Sequence, residues 1–410
     1  MIHSIKVKNY FSIGGEVNLN FDAKEGGITA PELYLDAPLG RKTTKIAFIG
    51  GPNASGKTSI LRALSFVKKI ITEPLTAKDP SRLDYMRFLG NDPKKESSIE
   101  VCFSIDTKRI YDYKVVFTFR RILEEQLDIT EKVEKRSSTT NVFKRKWEND
   151  KYVVNIANSI PNIKKIIGIG DLLDTENNRC NSFIAVTSNM DSINGILREV
   201  SIFWDNLVTN VSPLTVNDSV SMNAHRVLEK YREGSPIKEK AKSLLKEMDI
   251  GYESFFEFKG PGDDSPVAYG IRHVYPKSGV FDILSPVEST GTQRLISIID
   301  DIATALLVEK GGVAILDDMD AFIHPDLYEK LVNYFMSPSL NKNNTQLILC
   351  SHNYTTLNEL DKQQIFLAER NDAGETEAWR LDEVEGVQAR DNFYARYMAG
   401  AYGAVPREDR

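Results

Sequence analysis

Eight consecutive residues, Gly51-Pro52-Asn53-Ala54-Ser55-Gly56-Lys57-Thr58, constrain this chain more than any other stretch. They match G-x-x-x-x-G-K-[ST] in full. Before them, Lys45-Ile46-Ala47-Phe48-Ile49-Gly50 reads as a short buried strand. After them, Ile60, Leu61, Leu64, Phe66, Val67, Ile70 and Ile71 share one broad face, which predicts an amphipathic helix from Ser59 to Ile71. A strand entering and a helix leaving a glycine-rich turn aims backbone N–H groups into a concavity, and that concavity suits phosphate. The expected cradle is Gly51, Asn53, Ala54, Ser55, Gly56 and Ser59. Lys57 would place a cation on the β- and γ-phosphates of ATP, and Thr58 would hold Mg²⁺ through its hydroxyl.

The last third of the chain alternates short apolar runs with helical patterns. Val313–Leu316, Gln346–Cys350 and Ile365–Ala368 read as strands, with Asp326–Phe335 and Tyr354–Leu360 as helices between them. That alternation predicts a parallel, doubly wound sheet whose chemistry lies at the carboxyl ends of its strands. Val313-Ala314-Ile315-Leu316-Asp317-Asp318 has the form of a Walker B segment. Asp317 would support the metal, and Asp318 stands where a general base would activate water. Cys350-Ser351-His352-Asn353 ends a neighbouring strand, so His352 can reach a γ-phosphate. Glu288-Ser289-Thr290-Gly291-Thr292-Gln293 opens a long helix, with Ser289 as its N-cap and a positive helix end behind it.

Composition narrows the remaining classes. The chain is 41% hydrophobic, so wholesale disorder is excluded. Neither a membrane-length apolar run nor a signal-peptide core is present, and a cytoplasmic protein is expected. Cys102, Cys180 and Cys350 lie far apart, which supports neither a disulfide framework nor a zinc site. A net charge of −6 argues against nucleic-acid binding by the whole surface. The local basic cluster Lys144-Arg145-Lys146, with Arg120-Arg121, Lys135-Arg136 and Lys164-Lys165, is interleaved with acids and reads as a solvated loop face.

Residues 2–21 are expected to form strands around a turn at Gly14-Gly15, and residues 22–44 a surface loop. Three antiparallel strands follow, Ile99–Ile105, Tyr111–Phe119 and Ile122–Ile129, with Tyr152–Ile156 beyond them. Residues 160–250 read as mostly helical, including an amphipathic Arg226–Met248. Phe255–Lys259, Val267–Tyr275 and Gly279–Leu284 form a β-rich stretch. The expected organisation is an N-terminal lobe over 1–130, a mostly helical insertion over 131–254, and a C-terminal lobe over 255–410.

The order P-loop, Ser-x-Gly, Asp-Asp, Ser-His resembles an ABC-type ATPase head of the RecF/SMC/OLD group. Ile5-Lys6-Val7-Lys8-Asn9-Tyr10-Phe11-Ser12 is similar to the family's opening strand and adenine-side loop. ESTGTQRL, ILDDMDAFIHPDL and YMAGAYGAVP resemble bacterial anti-phage and abortive-infection ATPases of the RloA, AbiL and PARIS AriA types. The resemblance implies an α/β fold: a central, mostly parallel sheet, an antiparallel β subdomain and a helical insertion. It implies ATP and Mg²⁺ as ligands, with Ser289 and Gly291 in the signature position, completing a second copy's site in a head-to-head ATP sandwich or larger assembly. The segment Asp320–Asp326 would be the loop that senses the other head.

Asp318 stands where the family commonly has Glu, one methylene longer, so slow hydrolysis is expected. For the family's Q-loop glutamine, Gln126 is the nearest candidate. The stretch between Lys57 and Asp317 lacks long heptads and a zinc hook, so tethering of DNA by coiled-coil arms is not expected. The short tail after His352 is too small for the Toprim nuclease of the OLD type, so any toxin or nuclease effector is expected on a separate polypeptide. The implied function is an ATPase whose assembly senses a phage trigger and holds or activates that effector. Two alternatives are a RecF-like DNA-repair ATPase and, further off, a transporter's nucleotide-binding subunit.

Overall fold

The structure, a computed structural model, describes residues 1–24, 28, 30–73, 86–92, 94–133, 136–157, 168–176, 178–188, 195–213, 231, 234–248, 250–259, 266–309 and 311–406. Lys135, Lys164, Lys165 and the start of the expected helix at Arg226 lie outside them.

Eighteen strands are described. In chain order they are β1 (Ile2–Tyr10), β2 (Ile13–Asn20), β3 (Tyr34–Asp36), β4 (Lys42–Thr44), β5 (Ile46–Gly50), β6 (Ser97–Phe103), β7 (Arg109–Phe117), β8 (Ile122–Val133) and β9 (Arg136–Glu148). These are followed by β10 (Lys151–Ile156), β11 (Val208–Thr209), β12 (Tyr252–Lys259), β13 (Pro266–Tyr275), β14 (Gly279–Leu284), β15 (Val313–Leu316), β16 (Gln346–Cys350), β17 (Ile365–Arg370) and β18 (Thr376–Arg380). The central sheet has the order β11-β15-β16-β5-β17-β18. All its neighbouring strands run parallel except β18, which is antiparallel to β17.

Its apolar runs are continuous because both faces are covered. Ala47, Ile49, Ile315, Ile348, Phe366 and Ala368 point into one core, shared with the helix Lys57–Thr72 and the large antiparallel sheet. The alternate residues Ile46, Phe48, Leu316, Leu347, Leu349 and Leu367 point into the other, shared with the helices Thr290–Leu307 and Pro325–Met336. Each fully buried Leu or Ile in such a core contributes roughly 1.5–3 kcal/mol.

The antiparallel sheet has the order β10-β9-β8-β7-β6-β1-β2. It continues past residue 130, because β9 and β10 extend it to Ile156, so the region expected to be helical from 131 begins with two strands. The described helices come later: Ile169–Leu173, Phe183–Ser188, Ile196–Asp205 and Pro236–Met248. β12, β13 and β14 form a separate three-stranded sheet, close to its expected bounds.

Two local expectations are corrected. The β1–β2 turn falls at Phe11-Ser12, while Gly14 lies inside β2, where a Cβ would collide with the Glu375 side chain at 2.2 Å. Residues 22–44 are more than a surface loop: β3 and β4 pair there, and Leu33, Tyr34 and Leu35 are buried.

β9 also revises the basic cluster. Its alternation sends Arg145 inward, fully buried, with Nε 2.8 Å from Glu125 Oε2. The same carboxylate accepts hydrogen bonds from the Tyr113 hydroxyl, the Ser182 hydroxyl and the Phe183 N–H. On the outer face, Glu16, Lys6, Glu100, Lys114, Glu124 and Lys144 form an alternating ladder across six strands, with spacings of 3.4–4.0 Å. Lys146 pairs with Glu148, while Arg121 lies over the Trp147 ring and against Asp174. Lys144 and Arg145 are thus engaged across strands, Lys146 along its own strand, and Arg121 by a ring and a carboxylate beyond the sheet.

Candidate nucleotide-binding site

The expected site residues on β5, β15 and β16 converge because those strands are parallel and adjacent, so their carboxyl ends open on one edge. From this edge leave the loop Gly51–Gly56, the pair Asp317-Asp318 and the segment Ser351-His352. Gly51 has φ +147°, and a Cβ there would meet the Ala368 carbonyl at 2.1 Å. Gly56 has φ +103° and closes the loop into the helix, with no room beside Thr376 Oγ1. Both positions therefore require glycine. Ala54 also takes a left-handed conformation, φ +63°.

Neighbouring segments brace the loop. Thr376 Oγ1 donates to the Ser55 carbonyl at 2.9 Å and is hydrogen-bonded to Ser12 Oγ at 2.8 Å, and Ser12 Oγ lies 2.8 Å from Ser59 Oγ. Arg370 Nε donates to the Ala54 carbonyl at 2.5 Å. The adenine-side segment expected around Phe11-Ser12 thus touches the loop through Ser12. Ser55 Oγ is buried without a hydrogen-bond partner among the described residues.

Lys57 is buried and folded back, Nζ donating to the carbonyls of Gly51 at 2.9 Å and Pro52 at 3.0 Å. Burial lowers its pKa, against the opposing pull of the nearby carboxylates Asp317, Asp318 and Asp320. Asp317 is the reciprocal case. Burial raises its pKa, the Asp318 charge adds to the rise, and a hydrogen bond from Thr58 together with the Lys57 charge opposes it. Thr58 and Asp317, the two expected metal-side residues, therefore face one another. Mg²⁺ is commonly bound by one or two protein oxygens plus phosphate, and this hydroxyl–carboxylate pair fits that habit.

Asp318 is exposed, with φ +47°, and its N–H donates to Asp317 Oδ1 at 3.2 Å. His352 is exposed, and its backbone N–H donates to both Asp320 carboxylate oxygens at 3.2 Å. Ser289 caps the helix Thr290–Leu307 by accepting from Thr292 N at 3.1 Å. Gly291 lies against the Phe322 carbonyl, 2.9 Å from where a Cβ would be. The signature pair thus packs on its own helix start and on the loop after Asp318 rather than on the P-loop.

Two residues at this edge escape the sequence reading. Asn210, just past β11, accepts from Asp317 N at 2.8 Å and donates to the Asp317 carbonyl at 3.0 Å. Arg294 Nη2 donates to the carbonyls of Asp317 and Asp318, both at 3.0 Å. A single Asn after a two-residue strand carries no sequence signal, and Arg294 looks like an ordinary surface position on an amphipathic helix. Gln126 is not part of the site: it lies mid-β8, its amide bonded to Asp128. A cleft of about 890 Å³ extends from Pro52 and Asn53 past Asp320 and His352 to Tyr397 and Met398.

The family described as "AAA domain, putative AbiEii toxin, Type IV TA system" matches residues 46–358, from the first residue of β5 to just beyond His352. The chain belongs to this family. It is a P-loop ATPase of the AAA-domain, abortive-infection-like type, in agreement with the resemblance read from its motifs. No curated protein matches it. Among solved structures it is similar to the SMC head domain from Thermotoga maritima, with a TM-score of 0.41 and 13% identity, over 92% of this chain and 98% of that one. No helix among the described residues is long and apolar enough to cross a membrane.

Proposed function

We propose that this AAA-domain protein is an ATP-driven switch whose nucleotide state governs self-association and, through it, a separate effector protein. The observation that carries the reading is the contact between Thr58 and Asp317, which joins the P-loop to the Walker B strand at the carboxyl edge of the sheet. Magnesium bound there would neutralise phosphate charge. The N–H groups of the Gly51–Gly56 loop and the helix Lys57–Thr72 orient the phosphates, with Ser55 Oγ as a free partner. Lys57 leaves the loop carbonyls for the β- and γ-phosphates. Asp318, at the solvent side of the strand end, takes a proton from the attacking water. His352, anchored through its N–H to Asp320, donates to the γ-phosphate.

In this reading Ser289 and Gly291 complete the site of another copy. The Arg294 grip on the Asp317 and Asp318 carbonyls supports it: a partner pressing on the signature helix also moves the hydrolytic loop. The setting we infer is anti-phage defence, on the strength of the toxin–antitoxin family description and the resemblance to abortive-infection ATPases. The charge ladder on the large sheet speaks against that face as a DNA track, since each of its lysines already has carboxylate neighbours.

The test is native mass of the chain, purified with its genomic neighbours, with and without Mg-ATP. An ATP-dependent multimer carrying a second polypeptide and no nucleic acid is expected. A nucleotide-independent monomer, or a species holding DNA with DNA-stimulated turnover, overturns the proposal.

A further inference from the structure

We infer that Tyr354 is a positioning residue for nucleotide binding: its hydroxyl holds the Gly51 peptide in place when Lys57 leaves that peptide for the phosphates. The inference rests on the proposed role of Lys57.

Tyr354 addresses both polar groups of one residue. Its hydroxyl accepts from Gly51 N at 3.1 Å and donates to the Gly51 carbonyl at 3.0 Å. The ring is seated for this task. It lies on Gly50, where a Cβ would stand 2.9 Å from Tyr354 Cε1, with Phe48 at 5.9 Å and Tyr397 at 4.3 Å between ring centroids. Gly50 is outside the phosphate-loop motif, and the approach of this ring together with that of Phe48, also 2.9 Å from the Cβ position, explains the glycine there.

The same Gly51 carbonyl also accepts from Lys57 Nζ at 2.9 Å. A carbonyl oxygen has two lone pairs, and here both are used. To reach a phosphate, Nζ must release the carbonyls of Gly51 and Pro52. Gly51 is buried, so its carbonyl cannot turn to water as readily as that of the partly exposed Pro52. With Tyr354 in place the Gly51 carbonyl keeps a donor throughout. Without it, each binding event would leave a buried acceptor unmade. The lost bond from Gly51 N is absent in free and bound states alike, so it cancels from affinity. The hydroxyl therefore acts on ground-state binding and leaves the hydrolytic step at Asp318 untouched.

Tyr354→Phe removes the hydroxyl and keeps the ring. In the full chain it should weaken equilibrium binding of a non-hydrolysable ATP analogue with Mg²⁺ by about tenfold, the scale of one unmade buried hydrogen bond. KM for ATP should rise in step, with kcat within about twofold of the parent. Unchanged affinity overturns the inference. So does a fall in kcat and melting temperature together, which would mark the hydroxyl as a general support of the fold. Lys57→Ala, measured in parallel, separates the two layers: retained ATP affinity there defeats the site reading itself. Lost affinity in Lys57→Ala beside parental affinity in Tyr354→Phe defeats only the role given to Tyr354.

Discussion

The hydroxyl of Thr58, in the first turn of the helix after β5, faces the carboxylate of Asp317 at the end of β15 and favours its charged form. β16 lies between those strands, so the contact depends on the order β15-β16-β5 and on the parallel run of all three. It brings together a motif near the front of the chain and a strand end in its last third. Arg294 and Asn210 hold the Asp317 backbone from two further elements, so the carboxylate has a fixed origin from which to face a cation.

Asp317 makes a pH-dependent contribution to stability. Burial raises its folded pKa above the ordinary 3.8. Below 3.8 both folded and unfolded forms are protonated and the carboxyl costs nothing. As pH rises through the window above 3.8, the unfolded chain gives up the proton first, so stability falls, and the cost is complete once the folded pKa is passed. Asp317→Asn, which retains an acceptor for Thr58, should therefore melt a few degrees higher than the parent at pH 7 without nucleotide. The gain should vanish as pH approaches the ordinary carboxylate value. The same variant should lose most of the added stability that Mg-ATP gives the parent. Scanning calorimetry across pH checks both; a variant less stable than the parent at pH 7 would show that the charge is well compensated.

Asp318→Asn should keep ATP affinity and lower kcat by about 10²–10⁴-fold, the usual scale for removing a general base. With hydrolysis blocked, the ATP-bound assembly should persist, and native mass in Mg-ATP should report it as a long-lived multimer. Normal turnover in this variant would assign the base to another residue.

The buried pair Arg145–Glu125 supports the fold away from the nucleotide. Arg145→Met alone leaves Glu125 charged in the interior and should destabilise the protein by about 3–5 kcal/mol. Adding Glu125→Leu should recover part of that loss, because no buried charge is then left unpaired. Urea unfolding of the parent, Arg145→Met, Glu125→Leu and the double variant measures the coupling, and additive effects would show that the two side chains do not interact. ATP affinity should match the parent's in all three variants.

The nucleotide loop was readable in the linear sequence because each of its requirements is local. Gly51 and Gly56 need positive φ, the strand before them needs apolar residues, and the helix after them needs a periodic face. The strands β12 to β17 were readable for similar reasons, being short apolar or alternating runs bounded by turn residues. β9 was not. Its thirteen residues are nearly all polar or charged, and only pairing with β8 and β10 gives Arg145 an inside and Lys144 and Lys146 an outside. The β1–β2 turn was misplaced because Gly14 and Gly15 advertise a turn, whereas Gly14 is small to admit Glu375 from the far end of the chain.

What the sequence determined by itself, then, is the kind of chemistry and the class of fold: a phosphate loop on a parallel sheet, acids at a strand end, a capped helix with Ser289 and Gly291 at its start. Tertiary structure alone decided which groups share one site. Thr58 with Asp317, Tyr354 on the Gly51 peptide, and Asn210 and Arg294 on one backbone turn are contacts between distant segments. No local propensity encodes them, because each depends on the order of strands in a sheet, and that order is fixed only when two cores close on its two faces.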